Sequence, residues 1–178
     1  ALFGHGHMGR IHAAKLAQHQ EAGTISGFVV VDPPQGRSPS LPALDFAIIA
    51  TPTTTHAAVA LPLLAAGVPC LIEKPLAATL SEAEQLAAYP HLCVGHVERF
   101  NPALPAGVRP RFFEAQRLSP FQPRGTDVDV IADLMIHDID LALSMLGGPI
   151  HDVRAIGVGV MTGSADIVNA RIEIGDGV

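Results

Sequence analysis

The sequence predicts an α/β fold whose first part is a doubly wound parallel sheet. Three observations support this prediction. A glycine-rich run, Gly4 to Gly9, follows a short apolar strand and opens a helix; residues 46–50 form a continuous apolar run; and strand-like and helix-like segments alternate up to about residue 97. Such alternation is typical of a parallel sheet with helices on both faces, because each crossover between parallel strands uses a helix.

The predicted elements of this sheet alternate between strand and helix, except that a loop joins the second strand to the third. Each strand is a short apolar run, and each helix begins at a capping signal or carries apolar residues at helical spacing. Pro62 falls inside the second helix and is expected to bend or split it, because proline has no N–H group to donate. The strands are 1–3, 24–31, 46–50, 68–72 and 91–96; the helices are 8–20, 56–66 and one opened by a capping box at 81–84; a loop rich in Pro, Gly and Ser covers 33–42.

After about residue 97 the pattern changes, and we predict two domains, 1–97 and 98–178. The second domain is expected to hold one long helix, closed by Gly147-Gly148-Pro149, and strands of an antiparallel kind. Gly175-Asp176-Gly177 is typical of a hairpin turn but has no return strand after it, so this α+β domain is predicted to be incomplete and the sequence to be a fragment. The strands are 111–118, 153–161 and 167–174, the helix is 128–146, and loops cover 102–110 and 120–126.

Composition excludes several classes of function. The 178 residues are 48% hydrophobic and carry a net charge of −6, which disfavours nucleic acid as a partner because backbone binding needs clustered Lys and Arg. No apolar stretch approaches the roughly 20 residues of a membrane span, and no signal peptide is visible. Cys70 and Cys93 both fall in apolar strand-like runs and are predicted to be buried thiols. We therefore expect a soluble, cytoplasmic protein.

The glycine-rich run Gly4-His5-Gly6-His7-Met8-Gly9 matches the G-x-G-x-x-G pattern of dinucleotide-binding loops. The first glycine permits a tight turn, the second lets a pyrophosphate approach the backbone, and the third lets the helix pack closely on the strand. The free N–H groups at the helix N-terminus then face the phosphates. The alternative is a purely structural glycine turn.

An acidic residue at the end of the second predicted strand favours dinucleotide binding. Asp32 lies 23 residues after Gly9, close to the roughly 20 expected for a group that accepts from the ribose hydroxyls of adenosine. Since a carboxylate there would repel a 2′-phosphate, NAD is favoured over NADP. Arg37 is the nearby residue that could weaken this preference.

Three histidines, His5, His7 and His12, raise the alternative of a metal site. Two of them are the variable positions of the glycine loop and the third lies on the helix that follows, and no cysteine or acid completes a ligand set. The sequence therefore predicts no metal.

Two polar groups are candidates for chemistry. Glu73-Lys74-Pro75 directly follows an apolar strand, at the edge where open α/β sheets bind ligands, although a solvated surface turn would have the same sequence. On the long helix, Asp133, His137, Asp140 and Ser144 lie within about 60° of arc on an ideal α-helix. This stripe contains no Lys, Arg or Glu, which favours a cleft-facing role over a solvated one, and a histidine there can accept a proton near neutral pH.

Four segments, in this order, resemble the glucose–fructose oxidoreductase / inositol dehydrogenase family, also called Gfo/Idh/MocA. The resemblance covers nearly the whole chain. Residues 95–102 and 127–141 are most similar to members that act as UDP-N-acetylglucosamine 3-dehydrogenases. The four segments are the glycine loop, Ala50-Thr51-Pro52-Thr53-Thr54-Thr55-His56, Glu73-Lys74-Pro75 and Asp133-Leu134-Met135-Ile136-His137.

The resemblance implies a Rossmann domain followed by a domain with an open, mostly antiparallel sheet that packs against another subunit, so a homo-oligomer (dimer or tetramer) is expected. It implies that Thr51, Pro52 and His56 line the nicotinamide side of the cofactor. Glu73 and Lys74 are expected to contact the nicotinamide ribose, with Lys74, before a proline that is often cis in relatives, also reaching the substrate hydroxyl. The substrate-side catalytic residues it implies are Asp133 and His137.

Together these observations predict an NAD-dependent dehydrogenase that moves a hydride between nicotinamide and a sugar ring carbon, with C3 of a nucleotide-activated amino sugar favoured. Three alternatives stay open: a dehydrogenase of another polyol or free sugar, a relative that reduces a biliverdin-like or other carbonyl substrate, and a dinucleotide-sensing protein without catalysis. A sensor could dispense with Lys74 and His137, both of which are present.

Overall fold

The computed structural model describes residues 1–32, 43–105, 107–120 and 129–175. Several predicted features fall outside these ranges: the loop at 33–42 with Arg37, most of the loop at 120–126, the first residue of the predicted helix at 128, and the turn residues beyond 175. The chain divides into two compact units, Ala1–Gly95 and His96–Val178, and each is described by itself.

The first unit is a five-stranded parallel sheet with the strand order β2-β1-β3-β4-β5, which confirms the predicted doubly wound sheet. Its elements are β1 (Leu2–Phe3), α1 (His7–Glu21), β2 (Val30–Val31), β3 (Ala47–Ile49), a 3₁₀ turn (Thr53–Thr55), α2 (His56–Ala65), β4 (Cys70–Ile72), α3 (Leu80–Ala87) and β5 (Leu92–Val94).

Helices cover both faces of this sheet. Successive strand residues point to opposite sides, so the strands pack against helices on both faces. On one face, Leu2 and Ile48 pack with Leu16 of α1. On the other, Ile49 and neighbouring strand residues pack with Leu64 of α2 and with α3. Each large aliphatic side chain that is fully buried in this way contributes about 1.5–3 kcal/mol to folding. The continuous apolar run at 46–50 is thus explained by a strand buried on both faces.

Three details of the first unit differ from the sequence predictions. The second strand is shorter than 24–31, because Thr24 N–H donates to His19 O in a turn that closes α1. Pro62 does not split α2, which runs unbroken from His56 to Ala65, since its missing N–H costs a single bond of the helix. The capping box of α3 joins Thr79 to Glu82 rather than 81 to 84; both pairs fit the same sequence pattern.

The second unit contains a 3₁₀ turn (Val97–Phe100), a π turn (Ile131–Met135), α4 (Ile136–Leu146) and the strands β6 (Ile150–Val158) and β7 (Ile167–Ile174). β6 and β7 pair antiparallel, as predicted. Residues 111–118 form no strand, so that prediction is wrong, and the long helix opens with a π turn instead of being α-helical throughout. Within the ranges given above, no helix is both long and apolar enough to cross a membrane.

The two cysteines differ in exposure, and the prediction that both are buried is wrong for one of them. Cys70 is buried in β4, whereas Cys93 is exposed. Cys93 lies beside Leu71 in register, on the sheet face that α1 covers, but β5 is the edge strand. That face is therefore covered at its centre and open at this edge.

We expect iodoacetamide at neutral pH to modify Cys93 and to leave Cys70 intact. Burial raises the pKa of the Cys70 thiol to about 11, so the reactive thiolate is scarce at neutral pH. Peptide mass spectrometry of the native protein measures both sites, and the urea-unfolded protein, in which both should react, is the control. Equal labelling of both thiols in the native protein would contradict the burial of Cys70.

Candidate active site

The loops that follow four strands of the first unit meet at one edge of its sheet. The glycine loop follows β1, Asp32 follows β2, Thr51 follows β3 and Glu73-Lys74 follows β4. β1 lies between β2 and β3. The chain passes from β1 to β2 on one side and then crosses back to β3 on the other, so the strand order reverses at β1. Crevices at such a switch point, outside the carboxyl ends of the strands, are where open α/β sheets bind ligands.

Each glycine of the loop meets a different surrounding. Gly4 has a φ of +91°, and a Cβ there would lie 2.5 Å from Ala50 O, at the end of the neighbouring strand β3. A Cβ on Gly9 would collide with Gly4 O, so α1 can approach β1 this closely only with a glycine there. A Cβ on Gly6 would meet nothing within 4 Å. Gly4 and Gly9 therefore serve packing, while Gly6 leaves an open surface.

The open surface at Gly6 suits an anionic group such as a pyrophosphate. Gly6 is the N-cap of α1, and no side chain caps the first N–H groups of that helix. Uncapped N–H groups and the helix dipole together attract negative charge. His5, His7 and Met8 are exposed around this end of the helix. The residues at this position fit the phosphates of a dinucleotide.

Asp32 lies directly beside the glycine loop. Its Oδ1 accepts a hydrogen bond from the backbone N–H of His5 at 3.2 Å, and the residue is exposed. The carboxylate is thus held next to the loop and remains accessible to an adenosine ribose, as the predicted role requires.

Replacing Gly6 by alanine is expected to leave folding intact and to weaken NAD binding. The new methyl group meets only open space in the protein, so the free energy of unfolding should change by less than about 1 kcal/mol. It would occupy the surface that a pyrophosphate needs, so the Kd for NAD should rise by about tenfold or more, at least 1.4 kcal/mol. Calorimetric titration and urea unfolding measure the two effects, and G9A, which should unfold, is the contrasting variant. A G6A protein with unchanged Kd would contradict the assignment.

The Glu73-Lys74-Pro75 turn is held by contacts that the sequence did not reveal. Glu73 is buried, with 9% of its surface exposed, and its Oε1 lies 2.7 Å from Nε2 of His12 on α1. Lys74 is half-buried. The Lys74-Pro75 peptide bond is cis, as the resemblance implied. The first residue of the turn, Glu73, is therefore hydrogen-bonded through its carboxylate to α1, the helix that follows the glycine loop.

His56 connects the turn to the loop after β3. The residue is 1% exposed; its Nε2 lies 2.9 Å from Thr51 O and its Nδ1 lies 3.0 Å from Pro75 O. The hydroxyl of Thr55 donates to Oγ1 of Thr51 in the same loop. Both nitrogens of His56 thus contact main-chain oxygens. A direct contact of Thr51, Pro52 or His56 with the cofactor stays a prediction.

The histidines of the glycine loop and α1 do not gather into a metal site. In the ranges that the structure describes, no three His, Cys, Asp or Glu side chains are close enough together to hold a metal ion. His12, which raised the metal alternative, instead contacts Glu73. Its spacing three residues after Gly9 was visible in the sequence, but the partner 61 residues away was not.

In the second unit, one member of the predicted polar stripe is a buried carboxylate that pairs with an arginine outside the stripe. Asp140 is 7% exposed and accepts two hydrogen bonds from Arg99, at 2.7 and 2.6 Å. These bonds raise the pKa of the Arg99 guanidinium. The Ser144 hydroxyl donates to Leu141 O within the helix. Two members of the stripe therefore have structural contacts, and no spacing in the sequence pointed to the pairing of Asp140 with Arg99.

The remaining members, Asp133 and His137, lie in the π turn and at the start of α4. The predicted 60° arc assumed a regular α-helix, whereas Asp133 lies in a π turn, where the angle between successive residues is smaller; the shared face of the four side chains stays a prediction. Next to His137 in the sequence, Asp138 is bound by Arg117, whose Nη2 lies 2.8 Å from Asp138 Oδ1. Arg117 was not singled out by sequence reasoning.

Comparison with known proteins identifies the family. The model of an oxidoreductase family with an NAD-binding Rossmann fold, GFO_IDH_MocA, matches residues 37–90. A UDP-N-acetylglucosamine 3-dehydrogenase from Acidithiobacillus ferrooxidans is 42% identical over 99% of this chain. The chain belongs to the Gfo/Idh/MocA oxidoreductase family. The alignment of this chain with the Acidithiobacillus ferrooxidans relative covers 63% of the relative, so the chain spans less than two thirds of the relative's length.

Other members of this family are similar along most of the chain. An inositol 2-dehydrogenase from Leifsonia xyli is 28% identical over 85% of the chain and 54% of its own length. Among solved structures, the Acidithiobacillus ferrooxidans UDP-N-acetylglucosamine 3-dehydrogenase superposes with a TM-score of 0.81 at 38% identity, covering 99% of this chain and 65% of that one. A myo-inositol dehydrogenase from Corynebacterium glutamicum shares the fold, with a TM-score of 0.68 at 20% identity, over 99% of this chain and 64% of that one.

Proposed function

We propose that this protein is an NAD-dependent oxidoreductase that moves a hydride between nicotinamide and a ring carbon of a sugar. The observation that carries the proposal is the gathering of the glycine loop, Asp32 and Lys74 at one edge of the parallel sheet. A dinucleotide-binding surface beside a lysine is the arrangement that dehydrogenation of an alcohol needs, because a cation there can stabilise the alkoxide that develops.

The cofactor is proposed to be held by the first unit. The glycine loop, including His5, His7 and Met8, would bind the pyrophosphate, and Asp32 would accept from the ribose hydroxyls of adenosine. NAD is favoured over NADP because a 2′-phosphate would meet the Asp32 carboxylate. Glu73 and Lys74 would contact the nicotinamide ribose. When bound, NAD supplies the hydride acceptor, and the protein supplies orientation and electrostatics.

The acid–base chemistry is assigned to three residues. Lys74 is proposed to donate to the oxygen of the reacting hydroxyl and to stabilise its developing negative charge. His137 is proposed to accept the proton of that hydroxyl, and Asp133 to orient His137 or raise its basicity. The roles of Asp133 and His137 rest on the match of residues 133–137 to the family motif. A positioned base of this kind contributes about 10²–10⁴-fold to a rate.

The favoured substrate is a nucleotide-activated amino sugar oxidised at C3. The 42% identity to a UDP-N-acetylglucosamine 3-dehydrogenase, over 99% of the chain, supports this choice. A polyol such as inositol is the alternative, supported by relatives that are inositol dehydrogenases at 27–32% identity. A dinucleotide sensor without catalysis is a further alternative.

A substrate panel separates these proposals. The full-length protein would be incubated with NAD or NADP and with UDP-N-acetylglucosamine, UDP-glucose, glucose or myo-inositol, while NADH absorbance is recorded. Turnover only with UDP-N-acetylglucosamine and NAD is the expected result, and analysis of the product locates the oxidised carbon. Turnover with myo-inositol alone would replace the substrate assignment. Tight NAD binding without turnover on any substrate would favour the sensor.

The second unit is proposed to contribute substrate binding and assembly of a homo-oligomer through its sheet. β6 and β7 expose apolar side chains, including Ile156 and Ile167, which are 68% and 61% exposed. Light scattering of the full-length protein measures the oligomeric state, and a monomer at micromolar concentration would contradict this part of the proposal.

A further inference from the structure

We propose that His12 is a positioning residue that holds the Glu73-Lys74-Pro75 turn in its working geometry. This inference rests on the proposed function, because it assigns a role to His12 through Lys74. His12 lies on α1, five residues after the N-terminal residue of that helix, and Glu73 follows β4. The contact between them joins the helix that receives the pyrophosphate to the turn that carries the proposed catalytic lysine.

The geometry of the contact is that of a strong hydrogen bond. The distance of 2.7 Å between His12 Nε2 and Glu73 Oε1 is at the short end of the range for an N–H donor and a carboxylate. Both side chains are largely buried, with 19% and 12% exposed. A carboxylate taken out of water needs such a donor, since a buried charge without a partner is costly.

Gly95 also lies close to the Glu73 carboxylate. A Cβ built on Gly95 would lie 3.1 Å from Glu73 Oε1 and 3.2 Å from Oε2. The backbone around the carboxylate is fixed as well, because Glu73 N–H donates to Ile49 O at 2.9 Å and Gly95 N–H donates to Ile72 O at 2.7 Å. The carboxylate therefore contacts His12 and lies close to Gly95, the residue after β5, on a backbone that is itself hydrogen-bonded.

The far end of the turn is held independently by His56, whose Nδ1 lies 3.0 Å from Pro75 O. Lys74 thus lies between two residues that are each fixed by a histidine from a different helix. His12 holds the residue before the lysine, and His56 the residue after it. A lysine on a turn fixed at both sides loses less conformational freedom when it engages a substrate, which is the advantage of preorganisation in catalysis.

The test compares two substitutions of His12 in the full-length protein. H12L removes the donor, and we expect kcat to fall by about tenfold or more while the Kd for NAD changes by less than about threefold. H12Q keeps an N–H donor near the position of Nε2, and should retain kcat within about threefold of wild type. The matched control is H19L, because His19 is exposed near the other end of α1; it should leave kcat unchanged.

Gly95→Ala disturbs the same carboxylate through a different residue and leaves the His12 side chain in place. The added methyl group would force the carboxylate to shift by a few tenths of an ångström, so we expect a smaller fall in kcat, again without a matching loss of NAD affinity. This second variant keeps the proposal testable if H12L is poorly folded. Wild-type kcat in H12L, or an H12Q protein as slow as H12L, would overturn the role.

A measurement without catalysis separates failure of this inference from failure of the proposed function. Hydrogen exchange, followed by mass spectrometry, should show faster exchange in the peptide covering residues 73–77 of H12L than of H12Q or H19L. Faster exchange in H12L would support the positional role even if the wild-type protein turned over no substrate, which would reject the proposed function alone. Unchanged exchange in H12L would overturn the positional role.

Discussion

Replacing Lys74 by methionine is expected to lower kcat by about 10³-fold, the scale of losing a positioned acid–base group. Methionine keeps the length and apolar stem of the side chain but removes the ammonium group. The interaction that is lost forms mainly as the hydroxyl becomes an alkoxide, so kcat and kcat/KM should fall together. The Kd for NAD should change by less than about threefold, because the glycine loop and Asp32 remain.

Lys15 provides a matched control for this substitution. It is the only other lysine among the 178 residues, it is exposed on α1, and its Nζ contacts Gln18 Oε1 at 3.3 Å. K15M should leave kcat and KM at their wild-type values. Steady-state kinetics, with calorimetric titration of NAD, measure all three proteins. A K74M protein with wild-type turnover would reject the role of Lys74, and one that lost NAD binding to the same extent as turnover would make it a cofactor ligand only.

Replacing Arg99 by alanine is expected to lower the free energy of unfolding by about 3 kcal/mol. The reason lies in the partner: the Asp140 side chain is 8% exposed, and R99A leaves this carboxylate in a buried position without its two hydrogen bonds. Nε2 of His96, 3.8 Å from Asp140 Oδ1, is too distant for a hydrogen bond to replace them. This expected loss lies at the low end of the range for breaking a buried ion pair, since the Arg99 side chain itself is 48% exposed.

Two further variants test this explanation. R154A removes an arginine that is 70% exposed and contacts Asp152, and should cost less than about 0.5 kcal/mol, as expected for a surface pair. The double variant R99M/D140L removes both charges and should recover much of the stability lost in R99A, because no carboxylate is then left buried. Urea unfolding measures each protein. If R99A and R154A cost the same, the Arg99–Asp140 pair does not stabilise the protein in the proposed way.

The prediction of the first unit from sequence succeeded where signals are local. Glycine spacing and the continuous apolar run at 46–50 depend on chain geometry over a few residues, and they led to the parallel sheet and its cofactor-type loop. Local patterns also caused the errors. The strand predicted at 111–118 is not formed, and these residues have no partner strand within the described ranges. The capping pattern occurs at 79–82 and again at 81–84, and only the structure shows that Thr79 is the cap.

In the candidate site too, sequence reasoning found the residues that local patterns mark and missed the contacts made between distant parts of the chain. Sequence reasoning could select the glycines of the loop, because the turn and the close packing there require that residue type. It could also select two residues by their positions at strand ends, Asp32 and Lys74. Sequence reasoning could not predict the contacts of four other residues, His12, His56, Arg99 and Arg117. Each makes its decisive contact with a residue 19 or more positions away, and spacing along the chain gives no information about such pairs.

Local patterns were enough to predict the fold class, the dinucleotide-type loop and the position of Lys74 after β4, because periodicity, glycine placement and strand ends are properties of neighbouring residues. Three other facts required the folded chain: Gly6 faces open space, the carboxylate of Glu73 is hydrogen-bonded to His12, and Asp140 is buried against Arg99. These facts depend on how elements from distant parts of the chain pack together, which brings buried charges to partners that no local pattern specifies.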